Sequence, residues 1–267
     1  MAVVLDVDSA ADPRVDDFRD LKAADRRPDR PGGKGLVIAE GTVVVRRMLE
    51  SPFRPHALLG VDRRWQELAA DLAGSDIPFY RAPAELMAEV VGFHLNRGVL
   101  AVARRPAARD FAELISGAVT VAVLEGVNDH ENLGAMFRNA AGLGVDAVLF
   151  GDGCADPLYR RSVRVSMGHA LRVPFAQVPD WPNGLDLLRR SDFQVVALSP
   201  DPAAATLATA LTGRRVALLL GAEGPGLTEE AMAAADIRAR IPMTPGTDSL
   251  NVATAAAMAF YERVRTA

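Results

Sequence analysis

LLLGAEGPGLTEE (residues 218–230) and IRARIPMTPGTDSLNVATAAAMAFYE (residues 237–262) set the architecture of this chain. In each stretch, an apolar strand pattern is followed by a loop and then by a helix pattern. The run 218–220, stopped by Gly221, is typical of a buried parallel strand. Its glycines allow the backbone of the following loop to approach a ligand closely.

Polar side chains follow these two strands. Glu223 lies in the first loop, and Ser249 and Asn251 stand just before the predicted amphipathic helix 250–264. Open α/β sheets place their ligand sites at the carboxyl ends of strands. We therefore expect these three side chains to belong to one site.

Strand and helix patterns alternate along most of the chain, which predicts an α/β fold with a mainly parallel sheet covered by helices on both faces. Predicted strands of the C-terminal half are 119–124, 146–150, 172–177, 194–197, 216–220 and 237–241, with a helix at 157–169. The composition divides the chain into a polar N-terminal segment (1–34), a small α/β domain (35–104), a linker (105–110) and a larger α/β domain (111–267).

The bulk composition favours a cytoplasmic globular protein. Hydrophobic residues make up 49% of the 267 residues, which is enough for a sizeable core. No apolar run reaches the length of a membrane span, and Cys154 is the only cysteine, so neither a membrane segment nor a disulfide framework is predicted. The net charge of −4 counts mildly against nucleic acid as a partner, although nearly all basic residues are arginines, which suit phosphate contacts.

Common catalytic motifs are absent from the sequence. It contains no phosphate-binding P-loop, no dinucleotide G-x-G-x-x-G after a strand, no G-x-S-x-G elbow and no histidine pair with metal-ligand spacing.

A second polar loop follows the strand 119–124. There, Asn132 is predicted to cap a helix, and Arg138 lies about two turns into it. Arg138 either belongs to the site or forms a structural salt bridge with Glu223 or Glu125.

A basic segment at 159–172 carries Arg160, Arg161 and Arg164. It is either a solvated helix face or a surface that follows RNA phosphates.

Three motifs together resemble the SpoU/TrmH family of RNA ribose 2′-O-methyltransferases. They are NLGAMFRN (132–139), LGAEGPGL (220–227) and IPM followed by SLNVA (241–243 and 249–253). The segment SMGHA (166–170) is similar to a further family element, and the resemblance covers residues 119–265. Residues 35–104 resemble, less closely, the small RNA-binding domain of many members.

The resemblance implies a C-terminal trefoil knot, S-adenosylmethionine as cofactor and a homodimer. It implies RNA contacts from Arg160, Arg161 and Arg164. Two further sets of residues follow from the same motifs: the catalytic set Asn132, Arg138, Glu223, Ser249 and Asn251, and the cofactor-binding set Leu220, Gly221, Ile241, Met243 and Leu250.

The expected activity is methyl transfer from S-adenosylmethionine to a ribose 2′-hydroxyl, in ribosomal RNA rather than transfer RNA, without a metal. A tRNA-directed enzyme, an antibiotic-resistance rRNA methyltransferase and a catalytically silent RNA-binding protein are the alternatives. Family accounts give Arg138 the role of general base. We favour a charged Arg138 that stabilises the developing alkoxide, because guanidinium groups rarely lose their proton.

Overall fold

A computed structural model describes residues 3–21, 33–244, 246–247 and 249–266. The chain forms two compact units, which are described separately. One comprises residues up to 107 together with 156–172, and the other comprises 108–155 and the chain from 173 onward. The sequence predicts 156–172 as part of the second domain, whereas this segment packs with the first unit. Residues 22–32 of the predicted polar N-terminal segment lie outside the described residues.

The first unit is built on a five-stranded mixed sheet in the order β1-β4-β3-β5-β2. β1, β4 and β3 are parallel, and β5 runs antiparallel to both of its neighbours. Its elements are β1 (Val4–Asp6), β2 (Leu36–Glu40), α1 (Thr42–Leu49), β3 (Pro55–Gly60), α2 (Asp62–Leu68), β4 (Phe79–Arg81), α3 (Ala84–Val91) and β5 (Val99–Arg104).

The second unit begins with α4 (Phe111–Ser116), β6 (Thr120–Leu124), α5 (His130–Gly142) and β7 (Ala147–Phe150). The chain then returns to the first unit with α6 (Arg160–Val165) and the 3-10 turn His169–Leu171. The second unit continues with β8 (Phe175–Gln177), α7 (Leu185–Arg190), β9 (Phe193–Leu198), β10 (Ala205–Thr206), α8 (Leu207–Ala210), β11 (Arg215–Leu220), α9 (Glu229–Ala233), β12 (Ile237–Arg240) and α10 (Val252–Thr266).

The seven strands of the second unit form one sheet in the order β10-β12-β9-β11-β6-β7-β8, and all neighbouring strands are parallel. The predicted α/β class with a mostly parallel sheet is therefore confirmed. The predicted knot stays a prediction. None of the helices in the described ranges is long and apolar enough to cross a membrane.

Apolar side chains cover both faces of this sheet. On one face, α4 and α7 bury Phe111 and Leu188 against the odd-numbered side chains of β6, such as Val123. On the other face, three aromatic rings pack together, with centroids 5.9–6.3 Å apart: Phe137 of α5, Phe150 of β7 and Phe175 of β8. Because side chains alternate along a strand, each strand serves both layers.

The polar N-terminal segment differs from its prediction. Residues 4–6 form the edge strand β1, which pairs with β4, and the 3-10 helix Pro13–Phe18 buries Val15 and Phe18 in the core of the first unit. A three-residue strand shows too little alternation to be detected from sequence, and its pairing partner lies more than 70 residues along the chain.

One buried arginine ties α10 to the sheet. Arg263 is 4% exposed. It donates to Thr120 Oγ1 at 3.2 Å and to the carbonyls of Gly213 and Arg214 at 3.0 and 2.6 Å. Burial lowers the pKa of this guanidinium, and its partners are oxygen dipoles rather than a carboxylate. The C-terminal helix is thus fixed by one hydrogen bond to the start of β6 and by two to the residues just before β11.

We expect Arg263→Met to destabilise the protein by roughly 2–4 kcal/mol, because it removes three hydrogen bonds and leaves the buried Thr120 hydroxyl and two partly buried carbonyls without this donor. Urea unfolding followed by circular dichroism measures the change. Arg265→Met is the matched control, since Arg265 lies on the same helix, is exposed and pairs with Glu262. This control should cost less than about 1 kcal/mol. Equal stabilities of the two variants would contradict the assigned role.

Candidate active site

Three loops leave the carboxyl ends of β6, β11 and β12 on one edge of the second sheet. β6 and β11 end together, because Leu220 is paired in register with Leu124. The loops are residues 125–129, 221–228 and 241–251. The predicted catalytic residues are distributed over the last two loops and α5, which follows the first.

Asn251 joins the three segments. Its Nδ2 donates to Asn132 Oδ1 at 2.8 Å and to Glu223 Oε1 at 2.6 Å. Its Oδ1 accepts from the amides of Ala253 and Thr254 at 3.0 and 3.1 Å, which caps the start of α10. Since the cap occupies the oxygen, the amide nitrogen must point toward the other two side chains. Three of the five predicted catalytic residues therefore form one hydrogen-bonded cluster.

The predicted capping role of Asn132 is wrong. Asp129 is the N-cap of α5, and its Oδ1 accepts from the amides of Glu131 and Asn132, each at 2.9 Å. The side chain of Asn132, in the first turn, is consequently free to accept the hydrogen bond from Asn251. An aspartate three residues upstream was the better capping signal.

The loop after β11 is held in a closed shape by its own backbone. Ala222 and Gly226 exchange two hydrogen bonds, at 3.2 and 3.1 Å. Gly221 lies under this bridge, where an added Cβ would stand 2.3 Å from the backbone atoms of Gly226 and Leu227. Only glycine fits at this position.

A buried carboxylate that the sequence reasoning did not place in the site anchors the same loop. Glu125 is 6% exposed. Its Oε2 accepts from the Thr228 amide at 2.8 Å, and its Oε1 accepts from Thr228 Oγ1 at 2.9 Å and Trp181 Nε1 at 2.7 Å. Thr228 in turn caps α9. The sequence feature that could have indicated this role of Glu125 is its position as an acidic residue directly after a buried strand.

A cavity of about 420 Å³ opens between the loops after β11 and β12. All five predicted cofactor-binding residues line it: Leu220, Gly221, Ile241, Met243 and Leu250. Three of the predicted catalytic residues also line it: Glu223, Ser249 and Asn251. Leu198 and Ala255 add to its apolar wall. The volume is that of a small-molecule site, typically about 300–1,000 Å³.

Arg138 is exposed on α5. The alternative of a salt bridge to Glu125 or Glu223 does not hold: Glu125 is bonded to Thr228 and Trp181, and Glu223 to Asn251. Within the described ranges, no carboxylate pairs with Arg138. The structure thus leaves this guanidinium available to a ligand but shows no contact between it and the Asn251 cluster.

The predicted RNA contacts have different surroundings in the first unit. Arg160 lies over the Phe93 ring at 4.5 Å and pairs with Glu40 at 2.7 Å, which indicates a structural role. Arg164 is 3.8 Å from the same carboxylate and remains partly exposed, and Arg161 is exposed. The last two are better placed to meet RNA.

Other chemistries find little support. The Cys154 thiol donates to the Leu124 carbonyl at 3.2 Å, and burial raises its pKa to about 11, so it stays protonated at neutral pH. Among the residues that the structure describes, no cluster of histidine, cysteine and acidic side chains could hold a metal ion.

Comparisons with known proteins agree with this geometry. A model of the SpoU rRNA methylase family matches residues 119–261. A Mycobacterium tuberculosis H37Rv protein named as an uncharacterized tRNA/rRNA methyltransferase is 63% identical over 265 residues, covering 98% of this chain and 92% of its own. A 23S rRNA (guanosine-2′-O-)-methyltransferase, RlmB of Xylella fastidiosa, is 34% identical over 59% of this chain and 63% of its own.

Solved structures show the same fold over nearly the whole chain. A crystal structure of an RNA 2′-O ribose methyltransferase superposes with a TM-score of 0.78 at 26% identity, covering 100% of this chain and 99% of its own. An rRNA methyltransferase of Sinorhizobium meliloti, 24% identical, has a TM-score of 0.80 over 98% of each chain. The family match and the mycobacterial relative decide the assignment: this chain belongs to the SpoU rRNA methylase family.

Proposed function

We propose that this chain transfers the methyl group of S-adenosylmethionine to a ribose 2′-hydroxyl of ribosomal RNA. The observation that carries the proposal is the Asn132–Asn251–Glu223 cluster, of which Asn251 and Glu223 line the 420 Å³ cavity. A catalytically silent RNA-binding protein would have no need to keep this cluster together. The 23S rRNA 2′-O-methyltransferase named above supports the reaction and the substrate class.

The cavity suits the cofactor. Gly221 and the closed 221–228 loop bring backbone amides and carbonyls to the wall, which can bond a nucleoside edge, while Leu220, Ile241 and Met243 offer apolar surface to its other parts. S-adenosylmethionine, when bound, supplies a methyl group on a positively charged sulfur, which is reactive without a metal.

The side chains around the cavity position the ribose. Asn251 fixes the Glu223 carboxylate through a 2.6 Å hydrogen bond, so that this carboxylate and the Asn132 amide keep one geometry. Ser249 lines the cavity and offers a hydroxyl for the sugar. Holding the hydroxyl in line with the methyl group supplies much of the rate in such a transfer.

Arg138 provides positive charge for the reacting nucleotide. It binds the phosphate next to the target ribose and stabilises the oxygen as its proton leaves. Its exposure and its lack of a carboxylate partner among the described residues support a role toward a ligand rather than in the core.

We propose in addition that the protein is a homodimer. Met258, Tyr261 and Val264 are 43–59% exposed and follow one another at helical spacing along α10. This helix packs on α5, with Asn139 Nδ2 donating to the Ala253 carbonyl at 3.0 Å, so a second copy on the stripe would also lie near the helix that carries Arg138.

Incubation of the protein with ribosomal RNA and labelled S-adenosylmethionine should yield a ribose that resists alkaline cleavage at one position. The same position should be unmethylated in ribosomal RNA from cells lacking the gene.

Gly221→Ala should abolish cofactor binding and transfer, because the added methyl group collides with Gly226 and Leu227, whereas Gly142→Ala, with open space around it, should change neither. Methyl transfer to a base, or to transfer RNA alone, would refute the proposal.

Arg138→Ala should lower the transfer rate by roughly 100-fold or more while calorimetry shows unchanged binding of S-adenosylmethionine. Arg138→Lys is the informative companion, since it keeps the charge but loses the planar, two-pronged donor, and should restore part of the rate. Loss of cofactor binding in the alanine variant, or full activity, contradicts the assigned role.

Tyr261→Asp should convert a dimer of the 28.4 kDa chain into monomers, because it places a charge in the apolar stripe. Light scattering at micromolar concentration measures the mass. Leu187→Asp changes an exposed apolar residue on α7 in the same way and should leave the dimer intact. A monomeric unaltered protein would exclude the dimer.

A further inference from the structure

The first unit contains a second cavity, of about 690 Å³, which shares no lining residue with the cavity beside Asn251. It is lined by α1 and the residues before it, by α2, by the turn before β5 and by α6. Four arginines and two glutamates contribute to the lining: Arg46, Arg64, Arg97, Arg164, Glu40 and Glu67. Its formal charge is therefore positive in a chain whose net charge is −4.

The four arginines differ in how they are held. Arg46 pairs with Asp71 at 2.9 Å, and Arg64 pairs with Glu67 at 2.6 Å and donates to the Arg97 carbonyl at 3.0 Å. These two guanidiniums are fixed by carboxylates and shape the wall. The Arg64 bond also fixes the backbone of the turn that carries Arg97.

The other two guanidiniums are available to an anion. Arg97 is exposed, and none of the described carboxylates pairs with it. Arg164 stands 3.8 Å from Glu40, whose other oxygen is bonded to Arg160 at 2.7 Å, so its own pairing is weak. Both groups line the same cavity, and arginine binds a phosphate with two parallel hydrogen bonds.

The rim of the cavity also offers surface for a nucleoside. Val43 is 45% exposed, and Asn96, with donor and acceptor atoms, is exposed beside Arg97. An unstacked base of single-stranded RNA can stack on a guanidinium plane and bond to an amide side chain, and both kinds of group line this cavity. The cavity is large enough for one nucleotide.

We propose that this cavity binds one unpaired nucleotide of the substrate RNA by its phosphate, through Arg97 and Arg164. This inference rests on the proposed function for the identity of the RNA, but not for the existence of the site. It gives the first unit a specific role in recognition, since a loop nucleotide is held there while another ribose is methylated in the second unit.

Fluorescence anisotropy with a labelled single-stranded RNA of about 12 nucleotides tests the site in the full chain. Arg97→Ala should weaken binding by roughly tenfold and lower the slope of log affinity against log salt by about one. Arg164→Ala should act in the same direction. Arg54→Ala removes an equal charge from an exposed position of the same unit, outside the cavity lining, and should change binding little.

Several outcomes overturn the proposal. The first is that the unaltered protein does not bind the oligonucleotide. The second is that Arg97→Ala and Arg54→Ala lose the same RNA affinity. The third is displacement of the RNA by inorganic phosphate at micromolar concentration, which would indicate a free-anion site. Thermal unfolding of each variant separates misfolding from lost contacts. The proposed function is judged apart from this: Arg97→Ala should keep its affinity for S-adenosylmethionine and its rate at saturating ribosomal RNA, with a raised KM.

Discussion

The site depends on a single amide group. Asn251 caps the last helix with its oxygen and, with its nitrogen, holds a glutamate from one loop and an asparagine from another helix. Neither contact could form unless the cap fixed the amide's orientation, because a rotating amide would present its oxygen to the Glu223 carboxylate. The start of α10 and the site therefore depend on the same side chain. Arg263 secures the far part of that helix to the sheet.

The loop after β11, residues 221–228, is held in its conformation by its own backbone and by Glu125, not by the side chains that line the cavity. The Ala222–Gly226 bridge closes the loop from within, and Glu125 holds its end through Thr228. A buried carboxylate is costly unless all its oxygens are bonded, and here three donors satisfy it. The residues of this closed loop, Gly221 among them, line the cavity, where backbone groups can bond a nucleoside edge.

The sequence predicted the sheet and the position of the site because both follow from local patterns. β6 and β11 were predicted from apolar runs that end at a polar loop or at Gly221. Glu223 and Asn251 were predicted as site residues because they follow the ends of strands. What it could not predict depends on long-range contacts. Nothing local showed that the Asn132 side chain would bond to Asn251, that residues 4–6 would add a strand to β4, or that Glu40 would bind Arg160 and keep 156–172 with the first unit.

The placement of Arg138 bears on whether it acts as a base or as a charge. Removing a proton from a guanidinium requires a site that penalises its charge strongly, through burial or neighbouring cations. Arg138 is exposed on α5. The buried arginine Arg263 lies far along α10 and is bound to a hydroxyl and to carbonyl oxygens, so it is not part of the site. The exposure of Arg138 therefore favours phosphate binding and alkoxide stabilisation as its role. The proton of the 2′-hydroxyl must then pass to another acceptor, and the Glu223 carboxylate, already oriented by Asn251, is the anionic group of the cluster.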